Sequence, residues 1–245
     1  MSLIFLLGAF DVLVNKIGLM GAMTEEIALF SQYISQTTTE ELAGITFVLG
    51  AWEEIPIVLC KSGVGKVNAA TCAQLLIQKY DVDCILFTGV AGAVNPVLEI
   101  GDVVISTDCM HHDMDVTALG FGKGIIPFAS QSIFPANPAL VEAAFQAGEQ
   151  LYPGKIRRGR VLSGDQFIAN RNKVRELQQN FQGDCVEMEG AAVGQVCHMN
   201  QVPFVILRSM SDKADGSAHM NFTEFTQLAS ERSAALVQKL ILRLK

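Results

Sequence analysis

The chain has 245 residues, half of them hydrophobic, and a formal net charge of −7. That length suits one α/β domain with a large core and a sheet covered on both faces. An acidic chain with no long Lys/Arg run excludes a nucleic-acid-binding surface and leaves small molecules as the natural partners.

Six cysteines, Cys60, Cys72, Cys84, Cys109, Cys185 and Cys197, form no CxxC pair. This spacing excludes a zinc cage or a redox motif and marks them as buried thiols of a reducing compartment, the cytoplasm. Cys197 and His198 are neighbours on a helical stretch and point in different directions, so core packing explains them better than a nucleophile and its base. The first fourteen residues, MSLIFLLGAFDVLV, are apolar but interrupted by Asp11 and lack a basic flank. They are too short to span a bilayer and make a poor signal peptide. Residues 1–15 are therefore an extension without an assigned role, ahead of one domain at 16–245.

Residues 16–20 form a first strand that ends at Gly21-Ala22-Met23, and Thr24 is placed to cap a short amphipathic helix. Glu25 suits the dipole of a first helical turn. Glu26 either does the same or points back over the strand end. Residues 45–49 and 55–59 are two strands joined at Glu53-Glu54, followed by Lys61-Ser62-Gly63-Val64-Gly65-Lys66 opening a helix to about Tyr80. Glycines there bring N–H groups toward an anion or a ribose hydroxyl, or simply make a tight turn. A P-loop is excluded, because Cys60 replaces its first glycine and Val67 follows the lysine.

Residues 84–87 are a buried strand running into Thr88-Gly89-Val90-Ala91-Gly92-Ala93, glycines that permit close approach of a ligand but do not make a dinucleotide fingerprint. Residues 102–107 are another strand. His111-His112-Asp113-Met114-Asp115 lacks metal-ligand spacing and reads as a hydrogen-bonded loop. The apolar, irregular stretch through Pro135 is a candidate subunit interface or lid. A helix at 137–150 and a strand at 156–162 follow. In Ser163-Gly164-Asp165-Gln166-Phe167-Ile168, Phe167 either stacks on a planar base or joins the core. A long amphipathic helix at 222–244 closes the chain.

The most informative stretch is VEMEGAAVGQVCHMNQVPFVILRSMSDKAD, residues 186–215, a strand, helix, strand pattern. Such a unit predicts two parallel strands of one sheet whose ends emerge on the same edge, where open α/β sheets bind ligands. Glu187 and Glu189 share a face if the backbone is still extended, and Ser211-Asp212 leave the second strand. Carboxyls in so apolar a setting are held partly out of water, where one stays protonated and another ionised.

KIGLMGAMTEEI, KSGVGKVNAA, TGVAGA, HHDMDVTALG, SGDQFI, VEMEGAA and VPFVILRSMSDKAD together resemble, in order, the methylthioadenosine/S-adenosylhomocysteine nucleosidases of the purine nucleoside phosphorylase superfamily. The resemblance implies a single α/β domain with a central mixed, partly barrel-like sheet flanked by helices, assembled as a homodimer. It also implies hydrolysis of the N-glycosidic bond between adenine and a 5′-modified ribose, without metal or organic cofactor.

By the same resemblance Asp212 is the general acid at adenine N7, with Ser211 orienting it. Glu26 holds the water, and Glu189 binds the ribose hydroxyls and stabilises the cationic sugar beside Glu187 and Met188. Arg208 lies near the water. The glycine-loop residues Val90, Ala91 and Gly92 line the ribose side, while Phe167 and Ile168 stack on and read the base. Met23, Val64 and Phe222 surround the 5′ substituent, with Val116, Leu119 and Pro127 supplied by the partner subunit.

Three departures stand out: Val90 where a serine is common, Leu119 where an aromatic is common, and Gly190 where alanine is usual. The 5′ group is left open among methylthioadenosine, S-adenosylhomocysteine, 5′-deoxyadenosine and aminodeoxyfutalosine, an intermediate of one menaquinone route. Two other functions compete. A nucleoside phosphorylase needs basic groups around a phosphate, which Glu26 would repel; a non-catalytic adenosine-binding module does not need the full set of acids.

Overall fold

In the computed structural model, residues 14–213 and 218–244 are described, the side chains of 218–224 excepted. The apolar residues 1–13 fall outside them. Ten strands and six α-helices follow one another as β1 (Ile17–Gly21), α1 (Thr24–Ile27), β2 (Ser35–Leu42), β3 (Ile45–Trp52), β4 (Ile55–Lys61), α2 (Lys66–Gln78), β5 (Cys84–Ala93), β6 (Val103–His111), β7 (Ile133–Pro135), α3 (Pro138–Leu151), β8 (Ile156–Ser163), α4 (Arg171–Phe181), β9 (Cys185–Glu187), α5 (Gly190–Asn200), β10 (Phe204–Asp212) and α6 (Ala218–Ile241), counted among the described residues.

The strand order is β10-β6-β8-β9-β5-β1-β4-β3-β2, with β7 pairing the later part of β6, beyond the residues that pair with β10. A further pairing of β10 with β5 closes β5, β9, β8, β6 and β10 into a five-stranded barrel, and β1, β4, β3 and β2 extend from it as an open arm. The α/β class and the partly barrel-like mixed sheet are as expected. β5 is the strand everything meets: it pairs with β1 and β10 in parallel and with β9 antiparallel. Its ten residues are all buried, as are the nine of β10, and each strand opens on an unbroken apolar run, Cys84–Phe87 and Phe204–Leu207.

Three expectations change. β9 and β10 are not parallel neighbours: they flank β5 and run in opposite directions, and both reach it at Gly92, which pairs with Val186 and with Asp212. Closing a barrel allows what an open sheet does not. Second, TGVAGA continues β5 rather than leaving it as a loop. Third, Met23 caps α1, and Thr24 is its first helical residue. Two further elements were not anticipated, for want of a strong signal: β2 is an exposed edge strand without an apolar face, and α4 is a strongly polar helix that buries only Leu177 and Phe181.

α5 sits tightly against the barrel because Gly194 has no side chain. A Cβ there would run into Cys109 Sγ and lie 2.9 Å from the Phe204 ring. α6 crosses the other side, where the Ser233 hydroxyl donates to the Gly89 carbonyl at 3.2 Å. Gly194→Ala is expected to lower the unfolding free energy by about 1–3 kcal/mol through overpacking, read from the urea midpoint; an unchanged midpoint contradicts the tight seating of α5.

Candidate active site

At the rim of the barrel a cavity of about 320 Å³ opens between the ends of β1, β5, β9 and β10, large enough for a nucleoside-sized ligand. It brings together Glu189 and Asp212, from the two ends of the 186–215 unit, with Glu26 from near the start of the chain. Met23, Val64, Val90, Ala91, Gly92, Phe167, Ile168, Glu187, Met188 and Ser211 also line it, joined by Ala22, Gln166 and Val186, which sequence reasoning left out. Those three sit beside singled-out residues, so their adjacency was the available signal. Val116, Leu119 and Pro127 are not among its lining residues, and the Phe222 side chain lies outside the described residues.

Glu26 turns back over the start of its own helix. Its Oε2 accepts the Ala22 and Met23 N–H groups at 2.6 and 2.9 Å, and its Oε1 accepts the Val90 N–H at 3.0 Å. Glu25 stays exposed, so the choice between the two is settled by position. Burial raises the Glu26 carboxyl above its usual range, against the opposite pull of Arg208 and the three N–H groups. Gly89 makes this possible: a Cβ there would lie 2.8 Å from the Glu26 carboxyl carbon and 2.9 Å from Arg208 Nη1. That glycine makes room for side chains rather than for a ligand.

Glu187 ends β9, and Glu189 stands beyond it at φ −135°, ψ −39° as the cap of α5. The backbone is no longer extended, so the period-two argument for a shared face fails. Glu187 turns to its own chain. Oε2 pairs with Arg208 Nη2 at 2.6 Å and Nε at 3.2 Å, both oxygens accept the Gly190 N–H at 2.9 Å, and Oε1 also accepts the Ser163 hydroxyl. With its acceptors so engaged, Glu187 is a support for the site. Glu189 instead accepts the Gly65 N–H on Oε1 at 2.7 Å. Burial first, and the neighbouring Glu187 next, push its pKa up to about 8.

Asp212 is buried at the end of β10. The Ser211 hydroxyl lies 3.0 Å from its Oδ2 and 3.5 Å from the Ala91 carbonyl. Arg208, 1% exposed, lies behind the cavity wall with its guanidinium carbon 4.1 Å from the Phe87 ring centre. Ile168 is buried, whereas Phe167 is half exposed at the mouth. The His111 to Asp115 segment is hydrogen-bonded as expected: His111 Nε2 lies 3.0 Å from Gln195 Oε1, and Asp113 pairs with Lys66. Among the described residues no group of three or more His, Cys, Asp or Glu could hold a metal ion, and no helix is long and apolar enough to cross a membrane. All six cysteines are buried and free.

An acid-lined pocket on a closed mixed barrel places the chain in a known class, and residues 16–242 match the model of the phosphorylase superfamily. The 5′-methylthioadenosine/S-adenosylhomocysteine nucleosidase of Tolumonas auensis is 37% identical over 230 residues, 94% of this chain and 100% of the relative. Among solved structures, the nucleosidase of that name from Neisseria meningitidis, in complex with methylthio-immucillin-A, superposes with a TM-score of 0.89 at 36% identity, covering 93% of this chain and 98% of the other. The futalosine hydrolase of Helicobacter pylori superposes at 0.90 with 31% identity, covering 94% and 98%. The chain belongs to the 5′-methylthioadenosine/S-adenosylhomocysteine nucleosidase family within that superfamily.

Glu189 binds more protons folded than unfolded between its ordinary 4.5 and about 8, so its contribution to stability falls as pH rises through that window. Glu189→Gln is therefore expected to raise the melting temperature, relative to the parent protein, more at pH 8 than at pH 5. An equal difference at the two pH values contradicts the upward shift.

Proposed function

We propose that the chain hydrolyses the N-glycosidic bond of 5′-modified adenosines and releases adenine. The observation that carries this is the meeting of Glu26, Glu189 and Asp212 in one cavity whose nearby cation, Arg208, is already held by Glu187. A phosphorylase needs cations free for phosphate, and Arg208 is not. Methylthioadenosine, S-adenosylhomocysteine, 5′-deoxyadenosine and aminodeoxyfutalosine are the substrates to compare.

Asp212 delivers a proton to adenine N7, so the base departs neutral as the C1′–N9 bond breaks. The Ser211 hydroxyl orients the Asp212 carboxyl. Positive charge spreads over C1′ and the ring oxygen, where Glu189 supplies the answering anion and holds the ribose hydroxyls. Water attacks C1′ and gives a proton to Glu26, a carboxylate whose basicity burial has raised. Acid, anion and base thus meet each demand of the reaction with side chains alone. Met188 packs beside the sugar, Phe167 stacks on adenine, and the backbone at Ile168 reads its edge.

Met23, Val64 and Phe222 form one side of the 5′ pocket. Val116, Leu119 and Pro127 of a second copy complete it in a homodimer. Leu119 and Phe128, 69% and 93% exposed on the same loop, support that assembly. The buried free thiols support a cytoplasmic location.

Incubated with methylthioadenosine and excess phosphate, the protein is expected to yield adenine and free methylthioribose; sugar 1-phosphate overturns hydrolysis, and binding without adenine release overturns catalysis. Asp212→Asn and Glu189→Gln are each expected to lower kcat at least about 10²-fold with the fold intact by circular dichroism. Near-normal turnover in either removes that residue from its role.

A further inference from the structure

Three stretches far apart in sequence converge on Lys66, the first residue of α2 and the last of the glycine-rich turn. Lys66 Nζ lies 2.7 Å from both oxygens of Asp113, just after β6, and 3.9 Å from Asp165 Oδ2, just after β8. The Lys66 N–H donates to Asp165 Oδ1 at 2.9 Å, and the Asp165 N–H donates to Asp113 Oδ2 at 3.0 Å. Each pair of the three segments is thereby cross-linked. The lysine that in a P-loop would reach for phosphate is turned to two aspartates, outside the cavity lining.

Two of the three segments carry something the cavity uses, and the third leads to Val116, which does not line it. Gly65, adjacent to Lys66, gives its N–H to Glu189 Oε1 at 2.7 Å from a backbone at φ +98°, a conformation that glycine holds readily and that nothing in its own side chain can fix. Phe167 and Ile168 follow Asp165 by two and three residues, and Val116 follows Asp113 by three. We infer that the Lys66–Asp113–Asp165 clasp is a positioning device for the reaction: it holds the Gly65 N–H against Glu189 and locks that contact to the loop bearing Phe167. The inference rests on the assignment of Glu189 as the ribose-side anion.

An N–H aimed at a carboxylate favours the ionised form. Released from the clasp, Gly65 drifts, and Glu189 needs a higher pH to ionise. The charged groups facing Glu189 are Glu187, Glu26 and Arg208, and those facing the clasp include His111 and His112. Burial holds both histidines below their usual range. Breaking the clasp leaves all five in place. Two substitutions separate geometry from charge. Lys66→Met removes a cation and Asp113→Ala removes an anion, so simple electrostatics moves Glu189 in opposite directions, while loss of the clasp moves it upward in both.

The test is the pH profile of kcat with methylthioadenosine for the parent, Lys66→Met, Asp113→Ala and Lys66→Arg, with thermal melts to confirm folding. The acidic limb is expected to move up by about one pH unit, the scale of one hydrogen bond, in both disrupting variants. KM is expected to rise in both, and Lys66→Arg to restore the parent profile. An unmoved limb in Lys66→Met, or a downward shift in Asp113→Ala, overturns the clasp; if Asp113→Ala does not fold, Asp165→Ala, which likewise removes an anion from the clasp, takes its place with the same two outcomes. Glu189→Gln measured alongside keeps the two readings apart: parent-like turnover in that variant, or a parent without an acidic limb, overturns the role of Glu189 rather than the clasp.

Discussion

One guanidinium sealed into the barrel wall sets the terms for the acids around it. Arg208 is 1% exposed and lies against the Phe87 ring. Burial alone favours loss of its charge, yet Glu187 and then Glu26 hold the proton on it more firmly than usual. An unpartnered charge at such a depth costs several kcal/mol, so the two-point contact with Glu187 is a condition of folding as much as a feature of the site. That contact uses up the cation. Glu26 and Glu189 are left with burial as the larger influence, and both are raised above the ordinary carboxylate range. A glutamate able to exchange a proton near neutrality, Glu189, follows from crowding three glutamates about one arginine out of water.

β5 makes that crowding possible. Val90 gives its N–H to Glu26, Gly89 leaves room for the Glu26 and Arg208 side chains, and Gly92 pairs with both Val186 and Asp212. Val90 therefore acts on Glu26 through its backbone. A valine in place of a serine leaves that bond intact and changes only the apolar character of the wall. At Gly190 the N–H reaches both Glu187 oxygens, and an added Cβ would lie 2.9 Å from Ile206 Cδ1. An alanine there would require Ile206 to shift.

The acids were legible in the sequence because Glu189 and Asp212 interrupt long apolar runs, where a charge is costly without a purpose. The α/β alternation was legible for the same reason, since central strands leave continuous hydrophobic stretches. Barrel closure was not: Val186 and Asp212 belong to a strand-helix-strand unit that locally predicts parallel neighbours, and only the long-range pairing of β10 with β5 reverses that. The engagement of Glu187 was also hidden, because it depends on Ser163 and Arg208, 24 and 21 residues away. β2 escaped because an edge strand exposed on both faces carries no alternation.

Carbon-13 NMR titration of the Glu189 side-chain carboxyl in the ligand-free protein reports most directly on this crowding of acids around one engaged arginine. The account predicts a midpoint near 8. A midpoint near 4.5, the value of an ordinary glutamate, would contradict it.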